Sequence, residues 1–251
     1  MKRFLLLLKL EYDGMFLPLS VILTAMTVLQ LALFGRRLQR AGATAPLSYV
    51  IDIAGIDIVF AIAFICILIL MAARLVRNYM PSKSIYALLT LPVSRRHIYL
   101  AKLTATFLAG AVLTAAQMAL LLIFSMLMGM RSADSTGVEA ARRGADLYLS
   151  LLDVNFLRML FPPDLFSFVF SVAGFLGSVC VGLYVAVGLK SGRRYGAVLI
   201  GVFWLAIMLF SFPLSDYVQW ANIFKLLVMI IIICVAGLKG SKLFESSEVA
   251  G

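Results

Sequence analysis

Long apolar runs, separated by short clusters of charge, follow one another along the whole chain. An uncharged run of about 17 residues or more can cross the hydrocarbon core of a bilayer as a helix. The second run reaches that length only by extending back past Asp57, and the sixth contains Lys225, which must snorkel to the interface. The pattern predicts an all-α polytopic membrane protein, with residues 1–251 forming a single transmembrane domain. Its six transmembrane helices are expected over residues 15–35, 54–73, 101–130, 165–189, 195–215 and 217–239.

Two segments outside these spans also carry apolar residues at helical spacing. Within residues 2–13, the charges of Lys2, Lys9 and Asp13 recur on one face and apolar side chains take another. This predicts an N-terminal amphipathic helix on the membrane surface before the first span. Segment 131–164 predicts a further surface helix, which ends at a pair of prolines.

The positions of Lys and Arg predict the orientation of the chain. With six spans, one side holds the N-terminus, the 74–102 loop, the 190–194 turn and the C-terminal tail, and this side carries most of the basic residues. Basic residues on the other side are interspersed with Asp and Glu. Because cytoplasmic loops carry the excess of Lys and Arg, we expect both termini in the cytoplasm and the chain in the cell (plasma or inner) membrane.

Composition supports the membrane and argues against other partners. The chain is 63% hydrophobic and 14% charged, with a mean hydropathy of +1.04, which is more apolar than a water-soluble core requires. The net charge of +10 is divided among short clusters between apolar runs, so lipid rather than nucleic acid is the expected partner. Cys66, Cys180 and Cys234 all lie inside apolar runs without C-x-x-C spacing, so we expect no metal site or disulfide.

The predicted spans lack the residues that drive chemistry in membranes. None carries Asp, Glu, His or Arg near its centre, where ion-coupled transporters place their functional groups. The single histidine, His97, lies among basic residues at the membrane edge, and no G-x-x-x-x-G-K-[ST] loop occurs. We therefore expect no catalytic, metal or cofactor site, and any energy source must belong to a partner.

The loop between the second and third spans predicts a short cytoplasmic helix. Pro81 suits a first helical turn, and Ile85, Leu88 and Leu89 form one apolar face before Pro92 ends the element. Such a helix, held at the membrane surface, would offer an apolar face to a cytoplasmic protein.

A basic cluster follows this predicted helix. Ser94 is placed to cap the next helix, whose first turn then holds Arg95, Arg96 and His97. Cations there oppose the helix dipole, so they do not serve helix stability. Two interpretations stay open: contact with lipid phosphates that fixes orientation, or a stiff element on which an ATPase acts.

The segment from Leu88 to Arg95, LLTLPVSR, followed by Ile98 and Lys102, resembles the LPxSR-type signature of ABC-2 type transporter permeases. The resemblance implies a coupling helix that docks on an ABC ATPase subunit, which binds ATP and Mg. It further implies a second permease chain, in a homodimer or heterodimer, and export. The residues it assigns to ATPase coupling are Ser84, Ile85, Leu88, Leu89, Leu91, Pro92, Ser94, Arg95 and Arg96.

Small residues repeat every four positions in the fourth span, at Gly174, Ser178, Gly182 and Ala186. Such a face permits close helix packing. Packing within one subunit is one interpretation, and contact with a second permease or lining of the transport pathway is the other.

The sequence therefore supports three candidate functions. The first is the permease of an ABC-2 type exporter for an amphipathic or hydrophobic substrate, such as a peptide antibiotic, a drug or a lipid-like molecule. The second is a membrane anchor or sensor that recruits a cytoplasmic ATPase or signalling partner without transport. The third is a membrane enzyme, which the missing acid–base groups disfavour.

Overall fold

The computed structural model describes residues 2–40, 45–79, 95–131, 148–150, 152–160, 162, 164–190, 194–211 and 219–246. Within these ranges the chain forms helices and no strand, as the apolar pattern predicts. In chain order the helices are α1 Lys2–Arg40, α2 Leu47–Ala54, α3 Ile56–Tyr79, α4 Arg95–Arg131, α5 Asn155–Leu160, α6 Leu165–Lys190, α7 Arg194–Ser211 and α8 Gln219–Ser246.

Each predicted span overlaps a helix, and five helices in the described ranges are long and apolar enough to cross a membrane. These five segments are Phe4–Arg40, Ile56–Arg74, His97–Met128, Leu165–Leu189 and Phe224–Lys242. The remaining predicted span corresponds to α7, whose apolar part, Tyr195–Met208, is shorter. The protein is therefore a multi-pass membrane protein. Residues 212–218, where the fifth predicted span ends and the sixth begins, lie outside the described ranges.

Helix α1 runs without a break from Lys2 through Pro18 to Arg40. At 1.5 Å per residue its 39 residues extend about 58 Å, almost twice the thickness of the hydrocarbon core. The predicted N-terminal surface helix is thus not a separate element, because its residues form the first turns of α1. Its buried side also differs from expectation: Leu5 is 59% exposed, whereas Glu11 is 6% exposed. A partner for the Glu11 charge, described below, permits the helix to continue through it.

Helix α2, which lies between the first two predicted spans, was not anticipated from the sequence. Its N-cap is Pro46, and its C-cap is Gly55 in the left-handed conformation, with φ 65° and ψ 36°. The side chains at positions i, i+3, i+4 and i+7 form one buried face, made of Leu47, Val50, Ile51 and Ala54. Proline before a helix and glycine after it are ordinary boundary signals, but eight residues are too few to be detected as a span.

The second span begins directly after Gly55, at Ile56, two residues later than residue 54, where it was expected. Asp57 lies in the first turn of α3 and is exposed, where its charge favours the positive end of the helix dipole. Helix α3 continues to Tyr79, beyond the predicted end of the span. The acid therefore belongs to the start of the helix rather than to its interior.

The chain divides into two compact units. Unit 1 contains Met1–Leu17, Ile67–Ala109 and Val172–Gly251, and unit 2 contains Pro18–Cys66 and Gly110–Ser171. In unit 1 the rings of Phe107 and Phe175 meet edge to face at 5.2 Å. In unit 2 the rings of Phe34 and Phe124 stack at 4.2 Å. Each unit thus has an aromatic contact that joins α4 to another helix.

Part of segment 131–164, where a helix was predicted, forms α5, and its position at the membrane surface stays a prediction. Leu157 is 1% exposed, and the ring of Phe156 packs on that of Phe60 at 5.2 Å, so α5 is held in unit 2 by apolar contacts. The following helix is capped by Asp164, whose carboxylate accepts a 2.8 Å hydrogen bond from the backbone N–H of Ser167. This hydrogen bond lowers the pKa of Asp164, because it stabilises the charged form.

The backbone conformation of Gly55 generates a test of the α2–α3 junction. A valine at this position must adopt positive φ, which costs about 1–2 kcal/mol, whereas asparagine tolerates it better. Steric crowding does not complicate the comparison, because a Cβ there would meet only Ile58, at 3.8 Å. We expect Gly55→Val to lower the thermal unfolding midpoint in detergent more than Gly55→Asn does. Equal midpoints for the two variants would contradict the left-handed C-cap.

Candidate functional site

Most of the predicted ATPase-coupling residues lie outside the described ranges, which omit residues 80–94. Ser84, Ile85, Leu88, Leu89, Leu91, Pro92 and Ser94 are the ones affected. Arg95 and Arg96 are the first two residues of α4, and His97 after them is exposed. The coupling helix therefore stays a prediction, but the two helices that bracket it are defined, α3 before it and α4 after it.

A buried ion pair joins α1 to α4 within unit 1. The Lys102 Nζ atom lies 2.6 Å from Glu11 Oε1, and their side chains are 4% and 7% exposed. Leu7 and Met15, one turn to either side of Glu11, are buried on the same face of α1. The Glu11 carboxylate therefore lies on an otherwise apolar face of α1, and Lys102 neutralises its charge.

Arg74 of α3 joins the same cluster. Its guanidinium Nη1 donates a 3.0 Å hydrogen bond to the backbone carbonyl of Glu11. The guanidinium also lies against Gly14, where a Cβ atom would collide with it. Helix α1 is thus contacted by a cation from α3 and a cation from α4 within one turn, and we call Glu11, Gly14, Arg74 and Lys102 the basic latch.

The basic latch corrects one expectation and supplies a contact that sequence reasoning missed. Lys102 belongs to the basic residues of the 74–102 loop, where an exposed charge is expected, but it is 3% exposed. Burying a charge without a partner costs several kcal/mol, so the pairing with Glu11 is what permits its position. The available signal was the spacing of Leu7, Glu11 and Met15, which places a lone acid on a helix face that is otherwise apolar.

A neutral polar pair joins the same two helices in unit 2. Gln30 Nε2 of α1 donates to Gln117 Oε1 of α4 at 2.9 Å, and to the carbonyl of Ile56 at 3.4 Å. Both glutamines are 0% exposed. Within the described part of the chain, Gln30 Oε1 and Gln117 Nε2 have no hydrogen-bond partner. Amides in otherwise apolar spans were visible in the sequence, but their pairing was not.

The small-residue face of the fourth predicted span packs against other helices of unit 1. A Cβ at Gly174 would lie 3.1 Å from Met208 of α7 and 3.5 Å from Met229 of α8. Ser178 accepts a 3.1 Å hydrogen bond from Trp204 Nε1 of α7. Gly182 faces Leu68 of α3, and Ala186 is buried. These contacts lie within one chain, and a role in a pathway or a dimer stays a prediction.

The glutamine pair generates a double-mutant test of helix packing. Gln117→Leu alone removes the 2.9 Å acceptor of the buried Gln30 amide and leaves it only the 3.4 Å contact with the Ile56 carbonyl, which should destabilise the protein by about 1–3 kcal/mol. Gln30→Leu combined with Gln117→Leu removes both polar groups, so its thermal unfolding midpoint in detergent should return to at least the wild-type value. Strictly additive losses in the double variant would mean that the two amides do not interact.

Comparison with known proteins places the chain in a family. Residues 7–188 match the family model described as "ABC-2 family transporter protein", which is more than two thirds of the chain. The matched range contains the basic latch, the glutamine pair and the whole of segment 80–94. No curated protein and no solved structure matches the chain. Since a family model covers most of its length and its helices suit a membrane, the chain belongs to the ABC-2 family of transporter proteins.

Proposed function

We propose that this chain is the permease subunit of an ABC-2 type exporter. The observation that carries the proposal is the family match over residues 7–188, on a chain with five helices long enough to span a membrane. We further propose six spans, with α7 as the fifth, both termini in the cytoplasm, and a location in the cell membrane. The concentration of Lys and Arg in alternate loops supports this orientation.

ABC-2 permeases generally associate with an ABC ATPase. In the proposed complex the ATPase subunits bind ATP and Mg, and two permease chains, identical or different, enclose the pathway. Helix α3 ends at Tyr79 and α4 begins at Arg95. Between them lies Pro81 to Leu91, which we propose as the coupling helix that docks on the ATPase. Leu88 and Leu89 would supply the apolar contacts, and the basic residues at the start of α4 would fix the depth of the helix in the membrane.

An amphipathic or hydrophobic substrate is the class we propose. The outer faces of the helices carry large apolar side chains that are exposed in the single chain, among them Leu17 at 73%, Ile58 at 61% and Leu199 at 68%. A pathway between two such chains would have mainly apolar walls. Peptide antibiotics, drugs and lipid-like molecules have apolar surfaces, and these can contact apolar walls without the loss of strong hydrogen bonds to water.

Charging the proposed docking face tests ATPase coupling. We expect Leu88→Asp combined with Leu89→Asp to lower ATP-dependent transport in vesicles at least about tenfold. The physical reason is that two carboxylates would have to be desolvated in an apolar contact. The measurement is transport per permease in vesicles that contain the permease and its ATPase.

The matched control places the same two charges on an apolar surface outside the docking segment. Tyr148 and Leu149 are 58% and 51% exposed, so Tyr148→Asp combined with Leu149→Asp should leave coupling unchanged. Unaltered transport in the Leu88 and Leu89 variant would contradict the coupling helix. A stable complex with the ATPase that moves none of a panel of amphipathic probes would instead favour the anchor or sensor function.

A further inference from the structure

The basic latch is the point in unit 1 where three helices are tied together by charge. Lys102 Nζ contacts Glu11 Oε1 at 2.6 Å, and Arg74 Nη1 donates to the Glu11 carbonyl at 3.0 Å. Lys102 thus contacts the carboxylate of Glu11, and Arg74 contacts the backbone carbonyl of the same residue. Any displacement of α3 or α4 must therefore move the first turns of α1, or break these contacts.

The surroundings of the latch make breaking it unfavourable. Glu11 and Lys102 are both more than nine-tenths buried, and Met15 and Ala105 beside them are 0% exposed. An ion pair separated in such surroundings leaves two charges without compensation, in a medium that does not screen them. The latch therefore behaves as a rigid link between helices over small displacements.

The latch is close in sequence to the segment that receives force in the proposed function. Arg74 lies five residues before the end of α3 at Tyr79, and Lys102 lies seven residues after the start of α4 at Arg95. Both cations are thus within about two turns of the helix ends that bracket residues 80–94. A force applied to that segment acts first on α3 and α4, which adjoin it. Helix α1 does not adjoin the segment, so the force reaches α1 through its contacts with α3 and α4.

We propose that Glu11, Arg74 and Lys102 are positioning residues that make α1 move together with α3 and α4 when the ATPase acts. This inference rests on the proposed permease function. It assigns the latch a part in converting ATP hydrolysis into movement of the first span. The competing explanation is a static packing contact that only holds unit 1 together.

An apolar replacement of the whole pair separates these explanations. Replacing a buried ion pair by apolar residues of similar volume commonly preserves folding, whereas removing one partner does not. We expect Glu11→Leu combined with Lys102→Met to fold, to bind the ATPase, and to show thermal stability close to wild type. The transmission role predicts that the ATP hydrolysed per substrate transported rises at least about fivefold in this variant.

The control is the apolar replacement of the other polar pair between the same helices. Gln30→Leu combined with Gln117→Leu should leave the ratio of ATP to transported substrate unchanged, since this pair is far in sequence from residues 80–94. A wild-type ratio in the Glu11 and Lys102 double variant, together with normal folding, would overturn the inference and leave a packing contact.

A second variant keeps the test decisive if that double variant does not fold. Gly14→Ala places a methyl group where the Arg74 guanidinium lies, and so displaces Arg74 without changing any charge. We expect a raised ratio of ATP to substrate in this variant, and a wild-type ratio would overturn the inference. If the wild-type permease with its ATPase transports none of the amphipathic probes, the proposed function fails and the inference falls with it. If the wild-type complex transports the probes and the variants keep the wild-type ratio, only the inference is contradicted and the permease function is unaffected.

Discussion

A hydrocarbon environment offers no hydrogen-bond partner, and this constraint determines both the backbone and the polar side chains of the chain. A helix satisfies its own backbone N–H and C=O groups by internal hydrogen bonds, and each apolar run of the sequence therefore folds as a helix. Polar side chains that enter the interior must find partners on neighbouring helices. Glu11 pairs with Lys102, Gln30 pairs with Gln117, and the Trp204 indole donates to Ser178. These polar contacts between helices therefore form because a buried polar atom has no water to bond with.

The same constraint explains how much of the fold could be predicted from the sequence. The six apolar runs correspond to helices because length and hydrophobicity are local properties that a bilayer selects strongly. Helix α2 was not predicted because its eight residues are too few to span a membrane, although Pro46 and Gly55 mark its two ends. The continuity of α1 was not predicted because the charges of Lys2, Lys9 and Asp13 indicated a separate surface helix, whereas the charge that is buried inside α1 is that of Glu11. Only its partner, 91 residues away in the chain, permits the helix to continue through it.

One part of the candidate site could be predicted from neighbouring residues in the sequence, and another part depends on contacts between distant residues. Prolines and leucines at helical spacing are enough to suggest a short element in residues 80–94, and the family resemblance drawn from them agrees with the match over residues 7–188. The contacts of the basic latch depend instead on which helices become neighbours. Nothing near Glu11 in the sequence indicates Lys102, and nothing near Gly14 indicates that Arg74 will lie against it. Such pairings belong to the tertiary structure and have no periodic signal.

The two polar pairs between α1 and α4 differ in charge, and the difference bears on how the protein is driven. The pair inside the predicted spans consists of amides, Gln30 and Gln117, which cannot take up or release a proton near neutral pH. The charged pair, Glu11 and Lys102, lies just before the uncharged parts of the same helices. An ion-coupled transporter needs the opposite arrangement, with titratable groups where the substrate crosses. Neutral amides inside the spans and charges near the helix starts therefore do not match the arrangement of an ion-coupled transporter.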